Sequence, residues 1–362
     1  MKNMPNYDNL SDNSDFDIDS DNSTNSTKNK NKQKLTKLVN INKPWIEKYR
    51  PSYLNEISSH EQIINTLKNY IENKDLPHLL FYGPSGVGKT STILSCAKEL
   101  YGNDADIMVL SINVSEERGI EVVRNRILPF VQSSSLIFSN NPNKLFKLVI
   151  LDEADSMTSD AQAILRRIIE KYTQGARFCM ICNYIKKINI ALQSRCTIFR
   201  FSAIPNNIIK EKIEKICNLE NISISEKVCD SIIEKSNGDL RKVINIIQTS
   251  SMISNVLDNN IINEILGYPK SSEIKKIYNS LILENGDTFE MSFKKINKIK
   301  NLNGYSLNDI INAIFKKLLN NKNIKNIKNI NQIIIKLGTI EYNLINNTND
   351  MIQLAAFVGL FK

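Results

Sequence analysis

The chain has 362 residues, of which 41% are hydrophobic and 23% charged, which is ordinary for a water-soluble protein of two or three domains. It contains no apolar run long enough to span a bilayer and no apolar signal core near its N-terminus, so a membrane protein is excluded and an intracellular, non-secreted protein is expected. The net charge is +9, and residues 1–38 contain six Asp and six Lys, so the whole excess lies on residues 39–362. This excess favours a polyanionic partner such as DNA, although a merely soluble basic surface would carry the same charge.

Residues 1–38 are rich in Asn, Ser and Asp, then in Lys, and contain few apolar side chains. Such a segment buries too little apolar surface to offset its loss of conformational entropy. We therefore predict a disordered, low-complexity tail.

From residue 39 to 204, short apolar runs alternate with helical segments, which predicts an α/β domain with a parallel sheet covered on both faces. The predicted strands are 78–82, 107–112, 145–151, 177–182 and 197–201. The predicted helices are 61–73, 89–100, 119–131 and 158–173.

Strand signals fade after Pro205, and apolar residues recur at helical spacing. We predict a small helical domain over 205–268 and a second all-α domain over 269–362. The predicted helices of the first are 208–219, 225–236 and 240–250.

One segment has the pattern G-x-x-x-x-G-K-[ST], in which backbone N–H groups surround phosphate oxygens. It consists of Gly83, Pro84, Ser85, Gly86, Val87, Gly88, Lys89 and Thr90. Lys89 would supply a cation for the β- and γ-phosphates, and Thr90 a hydroxyl for Mg²⁺. A glycine-rich turn with a chance lysine is the alternative, but a predicted strand before the segment and a helix after it favour a nucleotide triphosphate.

An apolar strand ends in Asp152 and Glu153, the second element that Mg²⁺-dependent phosphoryl transfer requires. Asp152 is expected to hold the metal through water, and Glu153 to orient and polarise the attacking water. Two solvated acids at a strand end are the alternative. The letters Asp-Glu-Ala-Asp also occur in DEAD-box helicases, but nothing after residue 205 suggests the second nucleotide-binding-like domain of that family.

Three further polar residues each allow two interpretations. Asn183 could bond a γ-phosphate or the attacking water, or could simply terminate a strand. Arg195 could contact the γ-phosphate of a neighbouring subunit, or be a solvated surface arginine. Arg241 could reach back over the nucleotide, or belong to an Asp-capped helix with exposed cations.

The cysteines do not favour a metal site. Cys179 and Cys182 have C-x-x-C spacing, but they lie in a predicted strand, where residues three apart point to opposite faces. No second pair exists, and His60 and His78 are the only histidines. Reduced, buried thiols are expected instead of zinc ligands.

Taken in order, these motifs resemble the small subunits of replication factor C, the AAA+ clamp loaders. The resemblance covers residues 42–362 and is densest over 44–245. The matching segments are Pro44-Trp45-Ile46-Glu47-Lys48-Tyr49-Arg50-Pro51, the phosphate loop, Leu151-Asp152-Glu153-Ala154-Asp155, Cys182-Asn183, Gln193-Ser194-Arg195-Cys196 and Gly238-Asp239-Leu240-Arg241-Lys242.

The resemblance implies an AAA+ P-loop ATPase core over 39–204, a helical lid over 205–268 and a C-terminal oligomerisation collar over 269–362. It implies ATP and Mg as cofactors, and other loader subunits of a hetero-pentamer, a sliding clamp and primer–template DNA as partners. The function that the resemblance implies is the loading of the clamp onto primed DNA during DNA replication. The protein would act in a nucleus or in a cytoplasmic viral replication compartment.

The resemblance also implies individual roles. Phosphate contacts would come from Gly83 to Ser91, with Asn183 as the first sensor and Arg241 as the second. Arg195 would act in trans as an arginine finger. The remaining assignments are Ile46 and Ser58 against adenine, and Arg118 and Arg124 in the inner DNA channel.

The sequence departs from the family at Ser58, which is polar where an apolar residue is more usual, and at residues 188–192, which lack the usual proline. Two other functions stay open: an AAA+ DNA helicase or translocase motor, and a structural subunit that binds ATP without turnover. The presence of Lys89, Asp152, Glu153 and Arg195 favours turnover.

Overall fold

The computed structural model describes residues 43–133, 146–282, 287–320, 330–346 and 348–362. The predicted tail, residues 1–38, lies outside them. The chain divides into two compact units, Met1–Lys48 and Tyr49–Lys362. In the first unit, helix α1 (Trp45–Lys48) begins after Pro44, whose carbonyl accepts from the backbone N–H groups of Glu47 and Lys48, both at 2.9 Å.

The second unit is built on a five-stranded parallel sheet with the strand order β2-β3-β4-β1-β5. Its strands are β1 (Leu79–Tyr82), β2 (Val109–Asn113), β3 (Lys147–Asp152), β4 (Ala176–Cys182) and β5 (Thr197–Arg200). All five predicted strands are therefore confirmed, with ends shifted by up to two residues. Because β4 lies between β1 and β3, the segments that follow these three strands meet at one edge of the sheet.

Helices cover both faces of the sheet, as predicted. They are α2 (Glu61–Glu72), α3 (Lys89–Tyr101), α4 (Ala105–Met108), α5 (Ile120–Val122), α6 (Leu128–Gln132), α7 (Ser159–Tyr172) and α8 (Ile190–Gln193). On one face, Leu165 and Ile169 of α7 pack with buried strand residues such as Val149 and Phe178. The three central strands, β3, β4 and β1, contain continuous apolar runs because both of their faces are buried, whereas the edge strands β2 and β5 are partly exposed.

The helix predicted over 119–131 differs from the observed structure. Five residues, Val123–Ile127, form a wider π-helical segment between α5 and α6. In a regular α-helix the ring of Pro129 would meet the carbonyl of Asn125 and the ring nitrogen could not donate to it. The wider turn lies at that place in the chain.

The next part of the chain is a helical domain containing α9 (Asn206–Leu219), α10 (Glu226–Ser236), α11 (Leu240–Ser251) and α12 (Asn259–Leu266). Two short parallel strands, β6 (Ser223–Ile224) and β7 (Val256–Leu257), accompany them. These strands were not predicted, because two residues are too few to show any periodicity.

The C-terminal helices form a hydrophobic core of their own, which includes Ile277, Ile296, Ile314 and Phe357. They are α13 (Ser271–Leu281), α14 (Phe289–Asn303), α15 (Leu307–Asn320), α16 (Ile330–Ile345) and α17 (Asp350–Gly359). Among the described residues, none of the helices has the length and apolarity that a bilayer crossing requires.

Candidate active site

The loop between β1 and α3, residues 83–88, needs glycine at two positions. A Cβ on Gly83 would lie 2.1 Å from the carbonyl oxygen of Phe201. A Cβ on Gly86 would lie 1.8 Å from Oδ1 of Asp239, and the φ of Gly86 is +69°. Any side chain there would collide with these groups, so the close packing of this phosphate loop depends on both glycines.

Lys89 begins α3 and turns its ammonium group back towards the loop. Its Nζ donates to the carbonyl oxygens of Gly83 and Pro84, both at 2.7 Å, and to Oδ1 of Asn183 at 2.9 Å. Burial lowers the pKa of Lys89 and nearby Arg241 acts in the same direction, whereas Asp152 opposes the shift. The ammonium group thus joins the phosphate loop to the end of β4.

Thr90 and Asp152 are in direct contact. The hydroxyl of Thr90 donates to Oδ2 of Asp152 at 2.7 Å, and Oδ1 of Asp152 accepts from the backbone N–H of Glu153 at 2.9 Å. A hydroxyl and a carboxylate are hard oxygen donors, and Mg²⁺ is bound in proteins through one or two carboxylates together with substrate phosphates. The residues present therefore fit a magnesium site beside the phosphate loop.

Glu153 has left-handed backbone geometry, with φ +52°. This conformation is uncommon for residues other than glycine, and such strain is concentrated at functional sites. The carbonyl of Glu153 accepts from the backbone N–H of Ser156 at 2.9 Å, which closes a tight turn directly after β3. The Glu153 side chain, which directly follows Asp152, is exposed, and an exposed carboxylate can accept hydrogen bonds from water.

A cleft of about 670 Å³ opens at this edge of the sheet, bounded by the phosphate loop and by the residues that follow β4 and β5. Asn183 lines it, and its neighbour Tyr184 donates its backbone N–H to Oδ2 of Asp155 at 3.3 Å. The segments after β3 and β4 are thereby held together.

The helical domain also reaches the phosphate loop. Arg241 is the second residue of α11, and its side chain is exposed yet close enough to Lys89 to influence the pKa of that lysine. Asp239 caps the helix and accepts a hydrogen bond from the Ser85 hydroxyl at 2.9 Å. The contact between Ser85 and Asp239 thus brings the start of α11 to the loop across 154 residues of sequence.

Arg195 is joined to a different part of the molecule. Its Nη2 lies 2.6 Å from Oε1 of Glu170, in α7, and its Nη1 donates to the carbonyl of Ala191 at 2.6 Å. The Arg195 side chain is 37% exposed. Its guanidinium is thus held at the surface by its own chain, on α7 and α8.

Ile46 belongs to α1, within the first compact unit. Three other predicted residues, Ser58, Arg118 and Arg124, are not brought to the loop by any described contact. Ser58 is exposed before α2. Arg118 is exposed and its Nε donates to the carbonyl of Ser115 at 3.2 Å, while Arg124 is exposed in the π-helical segment.

The sequence gives little or no indication of two residues in these contacts. For Asp239 it indicates only a helix cap, because the second partner, Ser85, lies 154 residues away. Glu170 gave no signal beyond the helical i,i+4 spacing from Arg166, with which it pairs at 3.3 Å.

The six cysteines are free; Cys196 is half-buried and the other five are buried. Burial raises the pKa of Cys96 to about 12 and that of Cys182 to about 12. These thiols are therefore protonated at neutral pH and are poor ligands and nucleophiles.

Three family models match the chain. "ATPase family associated with various cellular activities (AAA)" covers residues 79–204, "RCF1/5-like, AAA+ ATPase lid domain" covers 211–252, and "Replication factor C C-terminal domain" covers 269–359. Among solved structures, a RuvB variant from Thermotoga maritima is similar with a TM-score of 0.50 and 16% identity, over 71% of this chain and 85% of that one. At that identity the likeness shows the AAA+ fold alone.

Similar sequences extend over nearly the whole chain. A probable replication factor C subunit 5 from Dictyostelium discoideum is 44% identical over 88% of this chain and 90% of its own. The human replication factor C subunit 5 is 40% identical, over 90% of this chain and 93% of its own. Replication factor C subunit 3 of Saccharomyces cerevisiae is 40% identical, over 89% and 93% respectively. The chain belongs to the replication factor C subunits, the AAA+ ATPases of the sliding-clamp loader.

Proposed function

We propose that this chain binds Mg-ATP in its own phosphate loop and hydrolyses it as one small subunit of a hetero-oligomeric loader that places a sliding clamp on primed DNA. The observation that supports this most strongly is a set of two hydrogen-bonded pairs of polar residues at one edge of the sheet. Lys89 bonds Asn183, and Thr90 bonds Asp152. Two of these residues, Lys89 and Thr90, begin the helix that follows the phosphate loop, and this supports a position beside the terminal phosphates of a bound triphosphate.

Each of these residues then has a role in the reaction. The loop from Gly83 to Ser91 binds the phosphates, and Lys89 neutralises the β- and γ-phosphates when it exchanges its present acceptors for phosphate oxygens. Thr90 and Asp152 would hold Mg²⁺, which would neutralise charge on the phosphates.

Hydrolysis itself needs an oriented water molecule. Glu153, exposed beside Asp152, accepts a hydrogen bond from this water and polarises it for attack. Asn183 contacts the γ-phosphate from the end of β4, and Arg241 contacts it from α11.

Arg195 of this chain completes the ATP site of an adjacent subunit. Arg195 is at the surface and bound to α7 and α8 of its own chain, which supports a role in trans on the ATP of an adjacent subunit. Family membership implies a multi-subunit assembly, and we propose a hetero-pentamer.

The separate hydrophobic cores of the sheet and of the C-terminal helices support a division of the chain into domains. We place the nucleotide-binding core at 39–204, the lid at 205–268 and the collar at 269–362, with residues 1–38 as a tail.

Ile46 and Ser58 are assigned to the adenine by family resemblance. Arg118 and Arg124 are assigned to DNA phosphates because both are exposed cations. The relatives named above are eukaryotic, which favours the nucleus over a viral compartment.

A test is to co-purify the full chain with the other loader subunits of its organism and to measure ATP hydrolysis with and without clamp and primed DNA. Hydrolysis is expected to rise when both are present. In that assembly, Lys89→Ala should abolish ATP binding at this site, and Glu153→Gln should retain binding but lose turnover by about a hundredfold or more. Lys98→Ala, an exposed lysine of the same helix, is the matched control and should behave as wild type.

Other outcomes would contradict the proposal. Unwinding of forked DNA in the absence of a clamp would indicate a translocase. ATP binding with no effect of Glu153→Gln on turnover would indicate a structural subunit.

A further inference from the structure

The N-terminus of α11 is held by an aspartate whose two carboxylate oxygens have different partners. Asn237 and Gly238, both in left-handed geometry with φ +53° and +77°, deliver Asp239 to the start of the helix. Its Oδ1 accepts from the backbone N–H of Arg241 at 2.9 Å and of Lys242 at 3.4 Å. This oxygen satisfies the free donors of the first helical turn, as N-cap residues do.

The second oxygen is bonded outside the helical domain. Oδ2 of Asp239 accepts from the hydroxyl of Ser85 at 2.9 Å. Next to it, the backbone N–H of Leu240 donates to the carbonyl of Gly86 at 3.3 Å. Two adjacent residues at the start of α11 thus contact two adjacent residues of the phosphate loop.

The packing at this contact leaves no spare room. Asp239 is only 9% exposed, and a Cβ on Gly86 would collide with its carboxylate. A carboxylate so deeply buried is tolerated only where hydrogen bonds compensate for its lost hydration. Ser85 and the helix N–H groups supply those bonds, so the phosphate loop and the lid helix stabilise the same charged group.

Capping alone does not require such burial, as another helix of the same domain shows. Asp258 caps α12 by accepting from the backbone N–H of Asn259 at 2.6 Å, and Asp258 is exposed. The contact of Asp239 with Ser85 is therefore additional to its capping function.

We propose that Asp239 is a positioning residue that latches the lid helix to the tip of the phosphate loop and thereby sets Arg241 over the nucleotide. The inference rests on the proposed function, in which Arg241 contacts the γ-phosphate. Arg241 lies two residues after Asp239 on a rigid helix, so a shift of the loop at Ser85 and Gly86 is passed directly to the guanidinium. The lid responds to the state of the loop through this contact.

Mutations can remove the hydrogen bond between Asp239 and Ser85 while keeping a capping residue at the start of α11. Ser85→Ala removes the hydroxyl donor and leaves Asp239 in place. Asp239→Ser keeps a residue that caps helices well but is too short to reach Ser85. Asp258→Ser is the matched control, since it makes the same substitution at a cap that does not touch the loop.

The first measurement is hydrogen exchange of the full-length chain. In Ser85→Ala and Asp239→Ser, the amides of residues 84–88 and 238–242 should exchange about tenfold faster than in wild type, since a hydrogen bond to a charged group is lost. In Asp258→Ser, faster exchange should be confined to the start of α12. Unchanged exchange in both test variants would overturn the latch.

The second measurement is a double-mutant cycle in the assembled loader. Ser85→Ala should raise the KM for ATP about tenfold, by a larger factor than kcat falls, because binding through the lid is lost. A purely structural defect would instead lower kcat in proportion to the folded fraction. When Ser85→Ala is combined with Arg241→Ala, the KM for ATP should rise less than a further twofold above that of Arg241→Ala alone. Both variants remove the same contact with the nucleotide.

The outcomes separate the two proposals. Additive effects of Ser85→Ala and Arg241→Ala, with normal clamp-stimulated hydrolysis in wild type, would overturn the positioning role and leave the proposed function intact. A wild-type assembly without clamp-stimulated hydrolysis would overturn the proposed function, even where the exchange results match expectation.

Discussion

The guanidinium of Arg195 and the carboxylate of Glu170 lie 2.6 Å apart within the same chain, and both side chains are at the surface, 37% and 40% exposed. An exposed ion pair of this kind contributes about 0–1 kcal/mol to stability, because water and salt screen it. The pair therefore orients the guanidinium and is weak enough to be exchanged for another anion, as the proposed role of Arg195 in trans requires.

Arg195→Ala is expected to lower hydrolysis at the adjacent subunit's site by about a thousandfold, the usual contribution of an arginine finger. ATP binding by this chain's own loop should not change. The measurement is single-turnover hydrolysis in assemblies in which only one site is competent. Arg166→Ala is the control, since that exposed arginine pairs with the same Glu170. Loss of ATP binding at this chain's own site would contradict the trans assignment.

Thr90→Val is expected to raise the Mg²⁺ concentration that gives half-maximal hydrolysis by about tenfold or more. The valine has the shape of threonine but no hydroxyl, so it removes one hard oxygen ligand and leaves Asp152 without its 2.7 Å partner. Thr90→Ser retains the hydroxyl and should stay close to wild type. A Mg²⁺ titration of ATPase activity, with a chelator to define the zero point, decides the matter; equal curves for Val and Ser would exclude Thr90 as a ligand.

Gly86→Ala is expected to destabilise the protein by more than Gly267→Ala. Both glycines have a similar positive φ, +69° and +66°, so each alanine carries a backbone penalty of about 1–2 kcal/mol. Only at Gly86 would the new Cβ also meet the Asp239 carboxylate, whereas a Cβ at Gly267 would have no atom within 4 Å. Urea unfolding of the two variants measures the difference. Equal loss in both would show that the loop and α11 separate at little cost.

His78 should make the protein less stable in acid. Burial, aided by the charge of Arg177, lowers the pKa of His78 from 6.5 to about 4, and its Nδ1 accepts from the backbone N–H of Phe178 at 3.2 Å. Between these two pH values the unfolded chain binds a proton that the folded chain does not. The free energy of unfolding therefore falls as the pH drops from about 6.5 to 4, by up to about 3 kcal/mol from this group.

His78→Asn removes the titrating group and keeps an acceptor near Nδ1. Its free energy of unfolding, measured by urea titration at several pH values, should depend less on pH between 6.5 and 4 than that of wild type. A parallel decline in the two proteins would assign the acid sensitivity to other groups.

The centre of the sheet could be predicted because β1, β3 and β4 are buried on both faces and therefore contain continuous apolar runs, such as Leu148 to Leu151. The π-helical segment at Val123–Ile127 and the two-residue strands β6 and β7 could not, because they have no periodicity of their own. The phosphate loop could be predicted because its glycines and Lys89 lie within one eight-residue segment, and their spacing is sufficient to indicate phosphate binding.

By itself, the sequence determined the parallel α/β core, the helices that follow it and the identity of the phosphate loop, since all of these depend on local spacing and burial. The partners of the charged side chains were decided only by the tertiary structure. Ser85 meets Asp239 and Lys89 meets Asn183 across 154 and 94 residues of chain, and Arg195 finds Glu170 on a different helix. Such pairs depend on how strands and helices are brought together in space, which no local pattern of residues encodes.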